Sequence, residues 1–155
     1  LIGIKGTRGV GKTTFLLQYA KEKFGTDRSC LFINMNNFYF SNFSIVDFAY
    51  EFQRRGGKVL LIDQVFKHPD WSRELRMCYD RFPNLKIVFT GSSVMRLKEE
   101  NLELRDIVKS YNLRGFSFRE YLNLQTGMKF RAYTLEEILS NHEQIAKGIL
   151  SKVRR

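Results

Sequence analysis

The sequence predicts an α/β domain, a mainly parallel sheet with helices covering both faces. Three observations carry the prediction. Short apolar runs of strand length recur along the chain, and several are continuously apolar, as strands buried on both faces require. Between them stand longer segments whose apolar residues repeat at helical spacing. Glycine or proline punctuates most of the junctions. With 155 residues, 43% hydrophobic and 14% aromatic, the chain has the material for one domain with a sizeable core and is too apolar to be disordered.

Residues 1–5 read as a buried strand, followed by a glycine-rich stretch over 6–13. Phe15, Leu16, Leu17, Ala20 and Phe24 then repeat at helical spacing, and Gly25 marks the helix end. Leu31, Phe32 and Ile33 form a second strand, and 36–42 a polar and aromatic loop. Ile45, Phe48, Ala49 and Phe52 mark a second helix, ended by Gly56 and Gly57. Residues 58–63 form a third strand, continuously apolar before its final carboxylate, Asp63. Pro69 and Asp70 open a third helix with Trp71, Leu75, Cys78 and Phe82 on one face; Pro83 and Asn84 end it. Residues 85–90 form a fourth strand, the charged stretch 93–109 is expected to be helical, and 111–113 form a fifth strand. Ser117 with Glu120, and Thr134 with Glu137, match the reciprocal capping pattern that opens helices.

The formal net charge is +10, and the two halves of the chain share it equally, so no basic tail or block stands out. A diffuse positive field favours a polyanion (nucleotide, nucleic acid or acidic surface) without naming one. No apolar run approaches the ~20 residues of a membrane helix, and no signal peptide is visible; no membrane partner is expected. Cys30 and Cys78 are too few and too far apart for a disulfide framework or a zinc site. They read as small buried hydrophobes of a reducing compartment, which places the domain in the cytoplasm. The start at Leu1, without Met, points to a piece of a longer protein.

Ligands of open α/β sheets bind beyond the carboxyl ends of the strands, and the informative residues lie there. Gly6-Thr7-Arg8-Gly9-Val10-Gly11-Lys12-Thr13 matches G-x-x-x-x-G-K-[ST] at every fixed position and stands between a strand and a helix, as that motif requires. Its glycines permit a tight turn that aims backbone N–H groups inward as an anion nest, and the helix start adds partial positive charge. Lys12 is assigned to the β- and γ-phosphates of a nucleotide, ATP or ADP, and the Thr13 hydroxyl to Mg2+. Thr14 caps the helix or contacts the α-phosphate. Arg8 is not required by the motif and faces the phosphates, a neighbouring subunit or solvent.

A phosphate loop of this kind needs a carboxylate at the end of another strand to hold the metal, and Asp63 supplies it. The next residue, Gln64, can hydrogen-bond a water but cannot take its proton. Turnover is then slow, or another group completes the site, or the glutamine was introduced to trap bound ATP. Thr90 and Ser92 follow the fourth strand, where small polar residues reach a γ-phosphate or attacking water, or cap the next helix; Ser92 is preferred. Asp47, Glu51 and Glu74 read as solvated helix faces, and His68 as a polar loop residue. The aromatics Phe38, Tyr39, Phe40 and Phe43 read as the anchor of their loop, because residues 29–53 contain no Arg or Lys to support base stacking. His142 falls on the apolar stripe of the last helix.

The phosphate loop, the run from Arg55 to Val65, the segment Trp71 to Leu75, the run from Leu85 to Ser93 and the run from Leu113 to Leu122 together resemble the AAA-domain ATPases of bacteria and archaea, members of the AAA+ superfamily. The resemblance spans residues 1–125 and leaves 126–155 as a helical segment leading to a further C-terminal domain. It implies a three-layer P-loop fold with strand order 5-1-4-3-2 that binds ATP and Mg2+ and acts as a hydrolase. Relatives usually carry Asp-Glu and then a His where this chain has Asp63, Gln64 and Phe66. The resemblance therefore implies an ATPase with weak or conditional hydrolysis, the rival being a non-hydrolysing nucleotide-dependent switch or scaffold. A homo-oligomer follows by family analogy alone; a nucleic-acid-binding ATPase has only the charge in its favour. Arg105, Arg114 and Arg119 are weaker candidates for a nucleotide-facing arginine.

Overall fold

Residues 59–62 carry no polar side chain, and together with Asp63 they form a strand buried along its whole length. In the computed structural model of the protein, which describes residues 1–41, 43–92 and 102–153, this strand, β3 (Val59–Asp63), joins β1 (Ile2–Gly6), β2 (Cys30–Asn34), β4 (Lys86–Ser92) and β5 (Lys109–Asn112) in one sheet. The order is β2-β3-β4-β1-β5, and every ladder is parallel. It is the order 5-1-4-3-2 read from the other edge, so the fold is the expected one. The described residues fall into two compact units, 1–115 and 116–155.

Alternation along the strands builds two cores. Leu60, Ile62, Ile33, Ile87 and Phe89 point to the face covered by α2 (Ile45–Arg54) and α3 (Trp71–Arg81), where they meet Ile45, Ala49, Leu75 and Cys78. Val59, Leu61 and Ile4 point the other way, onto Leu16 of α1 (Lys12–Phe24). Both cysteines are free, and burial pushes the Cys78 thiol up to about 12. The aromatic loop is anchored through buried Phe40, set edge-on to Phe48, while Tyr39 stacks on Phe43.

The expected helix over 93–109 does not extend to its end. Residues 102–107 form turns and Lys109 already belongs to β5; residues 93–101 lie outside the described residues. Leu104 and Val108 are buried in the α2/α3-face core, and the Lys109 N–H donates to the Leu1 carbonyl. Tertiary packing thus overrides the helical propensity of a charged segment.

The second unit contains α4 (Phe118–Thr126) and α5 (Leu135–Val153), which is broken at Asn141. Both predicted caps form. Ser117 and Glu120 make a reciprocal box, and Thr134 and Glu137 exchange hydrogen bonds of 2.8 and 3.2 Å. His142 is exposed, and no side chain of α5 is fully buried. Hydrogen bonds from Ser117 hold the Glu120 carboxyl below its ordinary value of 4.5, and those from the Thr134 N–H and Arg131 do the same for Glu137. Depressed carboxyls stabilise the helix starts fully above the ordinary value and lose that contribution as pH falls through the lower folded value. The amide shifts of Glu120 and Glu137 should therefore titrate with midpoints below 4.5; midpoints at or above it would show the caps absent in solution.

Candidate functional site

The turn between β1 and α1 is shaped by glycine for two different reasons. Gly11, the residue before α1, sits at φ 93, a left-handed conformation that side chains disfavour, with open space where a Cβ would stand. At Gly6 a Cβ would run into the carbonyl oxygen of Leu113, so there the demand is close approach. No side chain caps α1 and its first turn holds no acidic residue, which leaves its early N–H groups available to an anion. Lys12 reaches back over the loop, its Nζ donating to the carbonyls of Gly6 at 2.9 Å and Thr7 at 2.8 Å.

Asp63 is 1% exposed and ends β3 beside this loop. Its Oδ2 accepts hydrogen bonds from the Thr13 hydroxyl at 2.8 Å and from Asn34 Nδ2 at 3.2 Å, and its Oδ1 accepts from the Thr90 hydroxyl. The fully buried Thr90 in turn accepts the Gln64 N–H at 2.9 Å. Its hydroxyl is thus engaged on both sides, within the wall rather than free. Gln64 holds φ 54, left-handed and uncommon outside glycine. Ser92 pairs with Gly6 in the β1–β4 ladder; its side chain lies outside the described residues.

These groups border a cleft of about 670 Å3. Gly6, Arg8, Gly9, Gly11, Lys12, Thr13 and Thr14 form one wall; Asp63, Gln64 and Thr90 lie on another. Thr7 and Val10 do not line it. Thr7 contributes its carbonyl to Lys12, and the Val10 side chain lies against the Gly6 Cα side.

Asn34, Asn36 and Lys67 were not singled out by the sequence, and Phe66 only as the place where relatives carry a His. Asn34 stands opposite Asp63 in the β2–β3 ladder, and a polar residue at that strand end was the available signal. The other three line the cleft. Phe66 and Lys67 lie in a 3-10 turn, Val65–Lys67, anchored by fully buried Val65. The turn leads into His68, which is buried, not loop-exposed, with Nε2 at 3.2 Å from Glu74 Oε1. Glu74 is no solvated helix residue either. Its Oε2 accepts from the Ser44 hydroxyl at 3.0 Å and from the Ile45 and Val46 N–H groups at the start of α2.

A hydroxyl beside a carboxylate is a hard oxygen donor set suited to Mg2+, which commonly takes few protein ligands and completes its shell with water and substrate phosphate. Among the described residues no group of three or more His, Cys, Asp or Glu side chains gathers to hold a metal unaided. Thr13 and Asp63 therefore fit a metal that arrives with a phosphate ligand.

A family model described as an AAA domain matches residues 1–122, most of the chain and the whole of this cleft. The chain belongs to that AAA-domain family. An uncharacterized protein of Methanocaldococcus jannaschii is 31% identical over 164 residues, covering 99% of this chain and 34% of its own length, so the chain spans about a third of that relative. Among solved structures, the AMPPCP-bound DnaA of Aquifex aeolicus matches with a TM-score of 0.52 at 13% identity, over 99% of this chain and 58% of that one. At that identity the likeness supports the AAA+ fold and nothing finer. No helix among the described residues is long and apolar enough to cross a membrane.

Proposed function

We propose that this AAA domain binds Mg-ATP in the cleft between the phosphate loop and the end of β3, and hydrolyses it slowly. The observation that carries the reading is the hydrogen bond between Thr13 and Asp63, which joins the phosphate-loop motif to the carboxylate that ends β3, 50 residues away. The DnaA of similar fold is AMPPCP-bound, which points the same way.

In this reading the loop N–H groups and the start of α1 hold the phosphate chain, and Lys12 leaves its carbonyl partners to meet the β- and γ-phosphates. Thr13 and Asp63 would hold Mg2+, which when bound would supply charge neutralisation to the phosphoryl oxygens. Water attacks the γ-phosphorus in line, the bond to the β-bridging oxygen breaks, and ADP, phosphate and a proton leave. Gln64 orients that water through its amide but accepts no proton, so the proton passes to solvent or to a phosphate oxygen, and turnover is slow. A non-hydrolysing switch is the second reading, and the same Gln64 favours it. A homo-oligomer or a further C-terminal domain would then receive the nucleotide signal.

Replacing Lys12 by Ala should weaken ATP binding at least about 100-fold, since it removes a charge-assisted contact to two phosphates. Titration with a fluorescent ATP analogue in Mg2+ measures this. Parental affinity in the variant would remove the phosphate-loop reading.

A further inference from the structure

We propose that Lys67 is an additional phosphate-binding cation of the cleft, directed at the γ-phosphate, and that it makes the site prefer ATP to ADP. The proposal rests on the nucleotide reading above and deepens it.

Among the described residues, the charged lining of the cleft consists of Arg8, Lys12 and Lys67 with the carboxylate Asp63. Lys67 thus adds a cation to a wall that meets Mg-ATP, a net anion. Its place along the wall decides which phosphate it serves. The loop N–H groups cradle the α/β end of the chain, Lys12 reaches the β- and γ-phosphates, and Thr13 and Asp63 would hold Mg2+ beside them. Lys67 lies four residues after Asp63, in the turn that follows β3 and not on the phosphate loop, and on that ground it is assigned to the γ end.

Both ends of the segment that carries it are fastened. At its start the Gln64 N–H donates to Thr90 on β4, and Val65 is fully buried. Within it, the Lys67 N–H donates to the Gln64 carbonyl at 2.9 Å and the His68 N–H to the Val65 carbonyl at 3.0 Å. At its end, buried His68 meets Glu74 of α3, the residue that also caps α2. Lys67 Nζ lies 5.8 Å from the centroid of the Phe66 ring, close enough for a cation–π contact on the same wall. The backbone beneath the cation is therefore set before ligand arrives, so on binding only the Lys67 side chain has to be ordered. Because the fastening runs through Glu74 to the start of α2, a pull on this turn by a γ-phosphate would be felt by α2 and α3.

The test is equilibrium binding, in Mg2+, of ADP and of the non-hydrolysable analogue AMPPCP to the purified protein and to Lys67→Met, Lys67→Arg and Lys12→Ala. Lys67 is exposed, so Met there does not disturb the core. The Met variant should bind AMPPCP about tenfold more weakly and ADP less than about twofold more weakly, and Arg should restore most of the difference. Equal losses for the two nucleotides, or no loss for either, overturn the proposal while the nucleotide reading stands. Parental binding by Lys12→Ala would sink the nucleotide reading instead, and this inference with it.

Discussion

Asp63→Asn is expected to cut Mg2+-dependent single-turnover ATP hydrolysis about 100-fold while leaving the domain folded. Metal polarisation of phosphoryl oxygens supplies several kcal/mol, and losing ~3 kcal/mol of it corresponds to roughly that factor. Asn keeps the size of the side chain, and its carbonyl can still accept from Thr90, the most buried of the three donors now on Asp63. Its amide would then face Thr13 and Asn34. Thr13 can turn its hydroxyl to accept. Asn34 cannot flip freely, because its Oδ1 already holds the Asn36 N–H at 2.8 Å. The cost to stability is thus about one hydrogen bond, ~1 kcal/mol, visible as a small shift in the thermal midpoint. Asp63→Ala differs in kind, since it leaves the buried Thr90 hydroxyl without its acceptor. A parental Mg2+-dependent rate in Asp63→Asn would mean that the carboxylate serves only the wall and that the metal is held elsewhere.

The sheet was legible in the sequence because a buried parallel strand carries its own signature, a continuous apolar run closed by a polar residue. Val59 to Asp63 show it plainly. The phosphate loop was legible because its residues are consecutive and each has a distinct backbone or charge duty. What the sequence concealed is whatever depends on contacts across the fold. Glu74 looks like any carboxylate on a solvated helix face until the start of α2 is set against it. His68 follows a lysine and precedes a proline, a loop context, yet packs at 7% exposure. Asn34 gains meaning only once the parallel register places it opposite Asp63. Thr90 was legible as a polar strand end, but its two hydrogen bonds, which turn the hydroxyl into the wall, depend on β3 and β4 being neighbours. Residues 102–107 misled in the opposite sense: their charge pattern suits a helix, while Leu104 and Val108 are drawn into the core of the other helices.

Gln64→Glu is expected to accelerate single-turnover hydrolysis by about 10²–10⁴-fold at unchanged ATP affinity, the range usual for adding a positioned general base. The backbone at this residue is held independently of the side chain: its N–H is fixed by Thr90, its φ is 54, and its carbonyl accepts the Lys67 N–H. Glu and Gln tolerate that left-handed conformation about equally, so the exchange alters one terminal group at the cleft and little else. The gain should carry a pH signature. A carboxylate base works only when ionised, so the rate of the Glu variant should fall as pH drops through its titration, a limb that the parent lacks. Gln64→Ala completes the comparison. If the amide orients the attacking water, Ala should be slower than the parent by about tenfold, the loss of one hydrogen bond made in the transition state. If Glu brings no acceleration and Ala no loss, water is not attacked beside residue 64, and the switch reading takes precedence over the slow ATPase. Should Glu accelerate while Ala matches the parent, the cleft is competent for phosphoryl transfer but for a proton acceptor, and the Gln64 amide neither orients the water nor hinders it.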